Sequence, residues 1–128
     1  MLKNIFFYLA VFWTGFILFL CLIKSSDLPQ VNIENLDKVI HAFLHFVFTI
    51  LWFLYFKKKW NHFSNFRLLI MSFVGSFVLG VAIELMQQYF TTTRTADVFD
   101  VLANLTGATL AIVSILILNK CSGIVDKI

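Results

Sequence analysis

Four apolar runs, each near the length of a membrane-crossing helix, occupy most of this 128-residue chain and leave few architectures open to it. A hydrocarbon core about 30 Å thick takes roughly 20 helical residues to cross. Residues 5–23 carry no charge, and residues 39–56 carry only His41 and His45 as basic groups. Residues 68–90 contain Glu84, and residues 98–118 contain Asp100 and Asn104 near their start. Continuous apolar runs lack the in/out alternation of a membrane barrel strand. The expected fold is therefore all-α: a polytopic membrane four-helix bundle, one domain over residues 1–128. Hydrophobic residues make up 60% of the chain, well above the share of about 45 to 50% in globular domains. That excess argues against disorder, a disulfide scaffold or a secreted enzyme. A net charge of +3 comes from ten basic residues scattered among apolar runs, so no basic face is offered to a nucleic acid.

The first run exceeds the core of about 7 to 15 residues typical of a signal peptide, and no small-x-small cleavage site follows it, so it is expected to stay attached. Basic residues flanking membrane helices are retained on the cytoplasmic side. With the N-terminus inside, Lys3, Lys57, Lys58, Lys59, Arg67, Lys120 and Lys127 are cytoplasmic, and Lys24, Lys38 and Arg94 lie outside. Both termini are then cytoplasmic, and residues 24–38 and 91–97 form the outer connections. Cys21 and Cys121 fall on opposite sides, which forbids an intrachain disulfide because bridged Cα atoms lie within about 7 Å. Lys57 to Lys59 with Arg67 serve either as a positive-inside anchor or as a lipid-binding patch.

Polar side chains are spread unevenly. Asp37, Lys38, His41, His45, Glu84, Gln87, Gln88, Arg94, Asp97, Asp100 and Asn104 all fall at the outer ends of helices two, three and four. With a rise of 1.5 Å per residue, His45, Glu84 and Asn104 each reach about 9 Å below the outer boundary, one shared layer. Positions three or four apart share a helix face. Ser72, Ser76, Gly80, Glu84 and Gln88 therefore form one stripe, and Asp97, Asp100, Asn104, Gly107, Ala111 and Ser114 another. Small residues let membrane helices approach closely, so helices three and four are expected to pack through these stripes, with Ser76, Gly80, Gly107 and Ala111 at the contact. Helix one is expected to act as a lipid-facing brace. A carboxylate at the bilayer centre costs at least about 2.5 to 3.5 kcal/mol without compensation. Arg94, Lys38 and the two histidines are candidate partners for Glu84, and an Arg94 fork on Asp97 or Glu84 is the favoured pairing.

In order along the chain stand Asp37-Lys38-x-x-His41, then Gly80-x-x-x-Glu84-x-x-Gln87, then Arg94-x-x-Asp97-x-x-Asp100-x-x-x-Asn104-x-x-Gly107. With these motifs the sequence resembles the VanZ-like membrane family, from about Ser25 to about Leu118. It departs from that pattern in Thr91 to Thr93, which lack the Pro-Gly common before the arginine, and in Ala111, where a second glycine is frequent. The resemblance implies a small multi-pass protein of the bacterial cytoplasmic membrane, associated through the family's namesake with resistance to the glycopeptide teicoplanin. It implies no reaction.

Two readings stay open for each polar group. Glu84 and Gln87 form either a hydrogen-bonded staple between helices or a ligand-facing acid. Asp97 suits a helix N-cap, and capping does not explain Asn104, two turns further in. His41 is either an interface histidine or a base or metal ligand. Asp37, His41, Glu84 and Asp100 offer carboxylates and imidazole from three helices, but without HExxH or paired CxxC spacing no metal is assigned. No nucleophile elbow, P-loop or dinucleotide fingerprint is present, and no cofactor is expected. The leading expectation is an outward-facing polar cluster of Asp37, Lys38, His41, Glu84, Gln87, Arg94, Asp97, Asp100 and Asn104 that binds or organises a cell-envelope or glycopeptide ligand. A competing reading is a membrane-embedded acid/base or metal-assisted hydrolase or transferase using His41, Glu84 or Asp100. A third is a structural subunit of a membrane complex. The lipid bilayer is the expected partner, and association into homo-oligomers is open because four helices enclose little transport space.

Overall fold

The computed structural model describes residues 2–22, 36–90 and 98–127, and among these residues there are helices and no strands. The order is α1 (Leu2–Leu22), α2 (Leu36–Lys59), α3 (Asn65–Phe90), α4 (Val98–Ser122) and a terminal turn, α5 (Ile124–Lys127). Residues 38–59, 65–86 and 98–122 are long and apolar enough to cross a membrane, and the apolar stretch Asn4–Leu20 of α1 is shorter. The helices overrun the apolar runs by about one turn because polar end residues cap them. Ser64 accepts a hydrogen bond from the Arg67 amide at the start of α3 (3.3 Å), which satisfies one of the open N–H groups there. Lys57, Lys58 and Lys59 close α2, where cations suit the negative end of the helix dipole. Gly123 has φ +66° and donates its amide to the Asn119 carbonyl (2.7 Å). That left-handed cap turns the chain into α5 at no Cβ cost.

α2 is the central element, packed against α1, α3 and α4. α1 runs antiparallel to it. Phe7 meets Tyr55 with ring centroids 5.2 Å apart, Trp52 Nε1 donates to Thr14 Oγ1 (3.1 Å), and Trp13 Nε1 donates to the Leu44 carbonyl (2.9 Å). Two buried apolar clusters fill the bundle. Ile17, Leu44, Phe48 and Ile83 join α1, α2 and α3. Phe53, Leu68, Leu69, Ile115 and Val125 fill the end near the α2–α3 connection. A run of aromatic contacts through Trp52, Phe56 and Trp60 leads to that end, where Lys59 sits over the Trp60 ring at 4.9 Å and Arg67 over Phe63 at 4.9 Å. Aromatic rings interleaved with cations suit a membrane–water boundary. Tyr8, Phe12, Phe19, Phe43, Phe66, Val78 and Phe99 are exposed, an apolar exterior matched to lipid rather than to water.

The small-residue stripes divide differently from the sequence expectation. The tightest approach joins α4 to α2: a Cβ placed on Gly107 would stand 1.9 Å from the Ala42 carbonyl oxygen. α3 meets α4 at Gly80, where an added Cβ would come 2.8 Å from Asn104 Nδ2. Ser76 serves α2 instead, as described below, and Ala111 is fully buried on α4. The reason is geometric. Gly107 and Ala42 bring two backbones together, whereas Gly80 on α3 faces the Asn104 side chain of α4 and not its backbone. α1 does brace the bundle, burying Ala10 and Ile17 and leaving most of its surface exposed.

Candidate functional site

Helical phase decides which polar groups meet. Lys38 and His41 lie within one turn near the start of α2, Asp100 is in the first turn of α4, and Glu84 lies one turn and a half before the end of α3. Since α3 runs opposite to α2 and α4, its last turns share a level with their first turns. The Lys38 ammonium forms an ion pair with Asp100 Oδ1. The other carboxylate oxygen, Asp100 Oδ2, lies 3.9 Å from His41 Nε2. Glu84 completes the group: one ligand atom from each of His41, Glu84 and Asp100 lies within 4.8 Å of the others. All three residues are buried, at 7%, 5% and 7% exposure, so water offers these charges little compensation. The Lys38 side chain keeps a quarter of its surface exposed and bridges the cluster to the bundle end.

One turn further in lies a second polar layer. His45 is fully buried, and its Nδ1 pairs with Ser76 Oγ on α3 at 2.7 Å. Thr49 Oγ1 donates to the His45 carbonyl (2.8 Å). Asn104, at 1% exposure, lies against Gly80. His45 Nε2 and both amide atoms of Asn104 have no hydrogen-bond partner among the described residues. Buried polar atoms are otherwise paired in native proteins nine times in ten or more, so such atoms call for a physical account.

Among the residues singled out from the sequence, Lys38, His41, Glu84, Asp100 and Asn104 thus converge in two adjoining layers. Asp37 and Gln87 lie on α2 and α3, and their side chains are outside the described residues, as are Arg94 and Asp97 altogether. The favoured Arg94 pairing therefore falls outside the described residues. Lys38, weighed as a partner for Glu84, is bonded to Asp100. The His45–Ser76 link was not foreseen, although the spacing of His45 one turn after His41 and Ser76 two turns before Glu84 carried a signal for it. Cys121 is a free, exposed thiol, and the side chain of Cys21 is outside the described residues. Two apolar grooves lie away from the cluster, one lined by Phe66, Phe73, Ile112 and Leu116 and another by Phe48, Trp52 and Met71. The cluster itself can orient an imidazole against a carboxylate, hold a cation, or bind the polar head of an amphiphile.

Comparisons with known proteins place the chain in a family. The family model VanZ/LLP1 matches residues 3–119. A protein of Schizosaccharomyces pombe (strain 972), described as Uncharacterized protein C11E3.10, is 31% identical over 92 residues, which cover 72% of this chain and 54% of that relative. The chain therefore spans about half the length of this relative. No solved structure matches. With nearly its whole length matched, including every residue of the polar cluster, the chain belongs to the VanZ/LLP1 family.

Proposed function

We propose that this protein is a multi-pass protein of the bacterial cytoplasmic membrane whose outward-facing polar cluster binds the polar head of a cell-envelope ligand and so changes sensitivity to teicoplanin-type glycopeptides. The observation that carries this reading is the convergence of His41, Glu84 and Asp100 from three helices at one end of the bundle, with Lys38 bonded to Asp100. Intramembrane ionisable groups face interiors or ligand paths and are functional by default. The basic residues at the opposite end support an outward orientation for the cluster.

The test is a bacterial host lacking its own copy, complemented with the wild-type protein or with Glu84→Gln, Asp100→Asn or Arg94→Gln, scored for teicoplanin sensitivity and for membrane abundance. Loss of the phenotype at wild-type abundance supports the reading. Loss only in step with abundance makes the cluster a structural device. A second reading, a hydrolase or transferase acting on an envelope lipid, is favoured by His41 Nε2 facing Asp100 Oδ2 at 3.9 Å, since a carboxylate beside an imidazole orients and strengthens a general base. Turnover of a lipid-linked precursor by purified protein, lost in His41→Gln, would select it over simple binding.

A further inference from the structure

We propose that His41, Glu84 and Asp100 are the ligands of one divalent first-row metal ion. Atoms bonded to a common ion at about 2.0 to 2.2 Å lie about 3 to 4.4 Å from one another, depending on the angle between bonds. The 3.9 Å between His41 Nε2 and Asp100 Oδ2 is too long for a hydrogen bond and falls within that range. All three ligand atoms lie within 4.8 Å of each other, so small side-chain rotations close them on a shared centre. One imidazole with two carboxylates, and no thiolate, is a donor set for zinc, manganese or ferrous iron. Three protein ligands leave positions open for water or an anionic head group.

The surroundings point the same way. Asp100 uses its two oxygens differently, Oδ1 towards Lys38 and Oδ2 towards His41. Oδ2 thus stays turned into the cluster while Oδ1 is drawn to the ammonium. One turn below, Asn104 and His45 are buried to within 1% of completely, and Asn104 lies against Gly80, four residues before Glu84. Both Asn104 amide atoms and His45 Nε2 have no hydrogen-bond partner among the described residues. A water bound to the ion is the group that the Asn104 amide, one turn below the cluster, is suited to engage. A stripe of helix packing needs none of these features. Lys38 competes with the ion for Asp100, and this gives the proposal a sign that a plain ion-pair network does not share.

The test uses full-length protein in detergent, stripped with chelator and then given equimolar zinc or manganese chloride. Free metal is removed, the bound ion is quantified by elemental mass spectrometry, and thermal unfolding is recorded with and without metal. The expected result is stoichiometric uptake of at least one of the two ions and a higher unfolding temperature on loading. His41→Gln and Glu84→Gln each remove a ligand and should weaken the affinity by more than the roughly 10- to 100-fold that the loss of an outer-shell partner costs. Lys38→Met should strengthen it about tenfold, because a repelling ammonium is removed. No uptake by the wild type, equal uptake by His41→Gln, or weaker uptake by Lys38→Met overturns the proposal. If His41→Gln does not fold, the wild type and Lys38→Met carry the test. The metal site rests on the same cluster as the ligand reading, but its measurement needs no ligand. A metal-free protein whose cluster variants still lose the phenotype refutes the ion and spares the ligand. A metal-loaded protein with harmless variants does the reverse.

Discussion

The two ends of the bundle solve the same packing problem with opposite chemistry. At the end near the α2–α3 connection, Phe53, Leu68, Leu69, Ile115 and Val125 interlock, and aromatic rings carry the packing out to Lys59 and Arg67 at the boundary. At the other end, the same three helices bring together Lys38, His41, Glu84 and Asp100 over a layer of His45, Ser76 and Asn104. In lipid, apolar contact between helices gains little from leaving water, so close fit and interhelical hydrogen bonds hold helices together. The apolar end is what fit alone requires. The polar end joins the helices through Lys38–Asp100 and His45–Ser76 and places ionisable groups where their solvation is poor. The difference separates a region held by fit from one held by polar bonds, the region that the proposed function assigns to a ligand.

That separation can be broken at several points. The largest effect is expected for Phe53→Ala. Removal of this fully buried ring should cost about 3 to 5 kcal/mol, read as a lower denaturant midpoint in detergent, and should leave cluster-dependent binding intact in the fraction that remains folded. If binding falls more than folding does, the two ends are coupled and the separation fails. Gly107→Val comes next, since the Ala42 carbonyl lies where its Cβ would stand. Backbone cannot yield as a side chain would, and a loss of about 3 kcal/mol is expected. This variant strikes the α2–α4 contact beneath the cluster, so stability and binding should fall together.

Smaller changes sharpen the comparison. Ser76→Ala removes the partner of His45 Nδ1 and should cost about 1 to 2 kcal/mol, because the fully buried imidazole keeps a polar atom to satisfy. Its effect on stability should exceed that of a matched Ser→Ala change at Ser122, whose exposed hydroxyl donates to the Leu118 carbonyl and accepts from the Ile124 amide. At the bottom of the scale, Asp126→Ala removes exposed bonds to Asn65 and Asn119 and should shift the unfolding free energy by less than about 0.5 kcal/mol. A larger loss would mean that α5 locks the apolar end more firmly than its exposed bonds imply.

The helices were legible in the sequence because length and apolarity suffice to set them: the runs at 39–56, 68–90 and 98–118 all lie within α2, α3 and α4. The polar level was legible only to within a turn: a fixed rise per residue put His45, Glu84 and Asn104 in one layer, whereas Glu84 stands with His41 and Asp100, and Asn104 lies against Gly80 one turn further in. Pairing was not. The sequence offered Lys38 to Glu84 and did not single out Asp100, to which the close approach of α2 and α4 at Ala42 and Gly107 brings it. Likewise, Ser76 read as a packing residue for α4 and proved to be the partner of His45 on α2.

The sequence by itself determined an all-helical membrane chain with its ionisable groups gathered towards one end, because those properties follow from periodicity, length and the cost of burying charge. Which helix backs onto which, and hence which side chains share a site, was decided by tertiary packing. The approach of two backbones depends on where a glycine on one helix meets a small residue on another. That contact is a property of the pair, and no single helix encodes it.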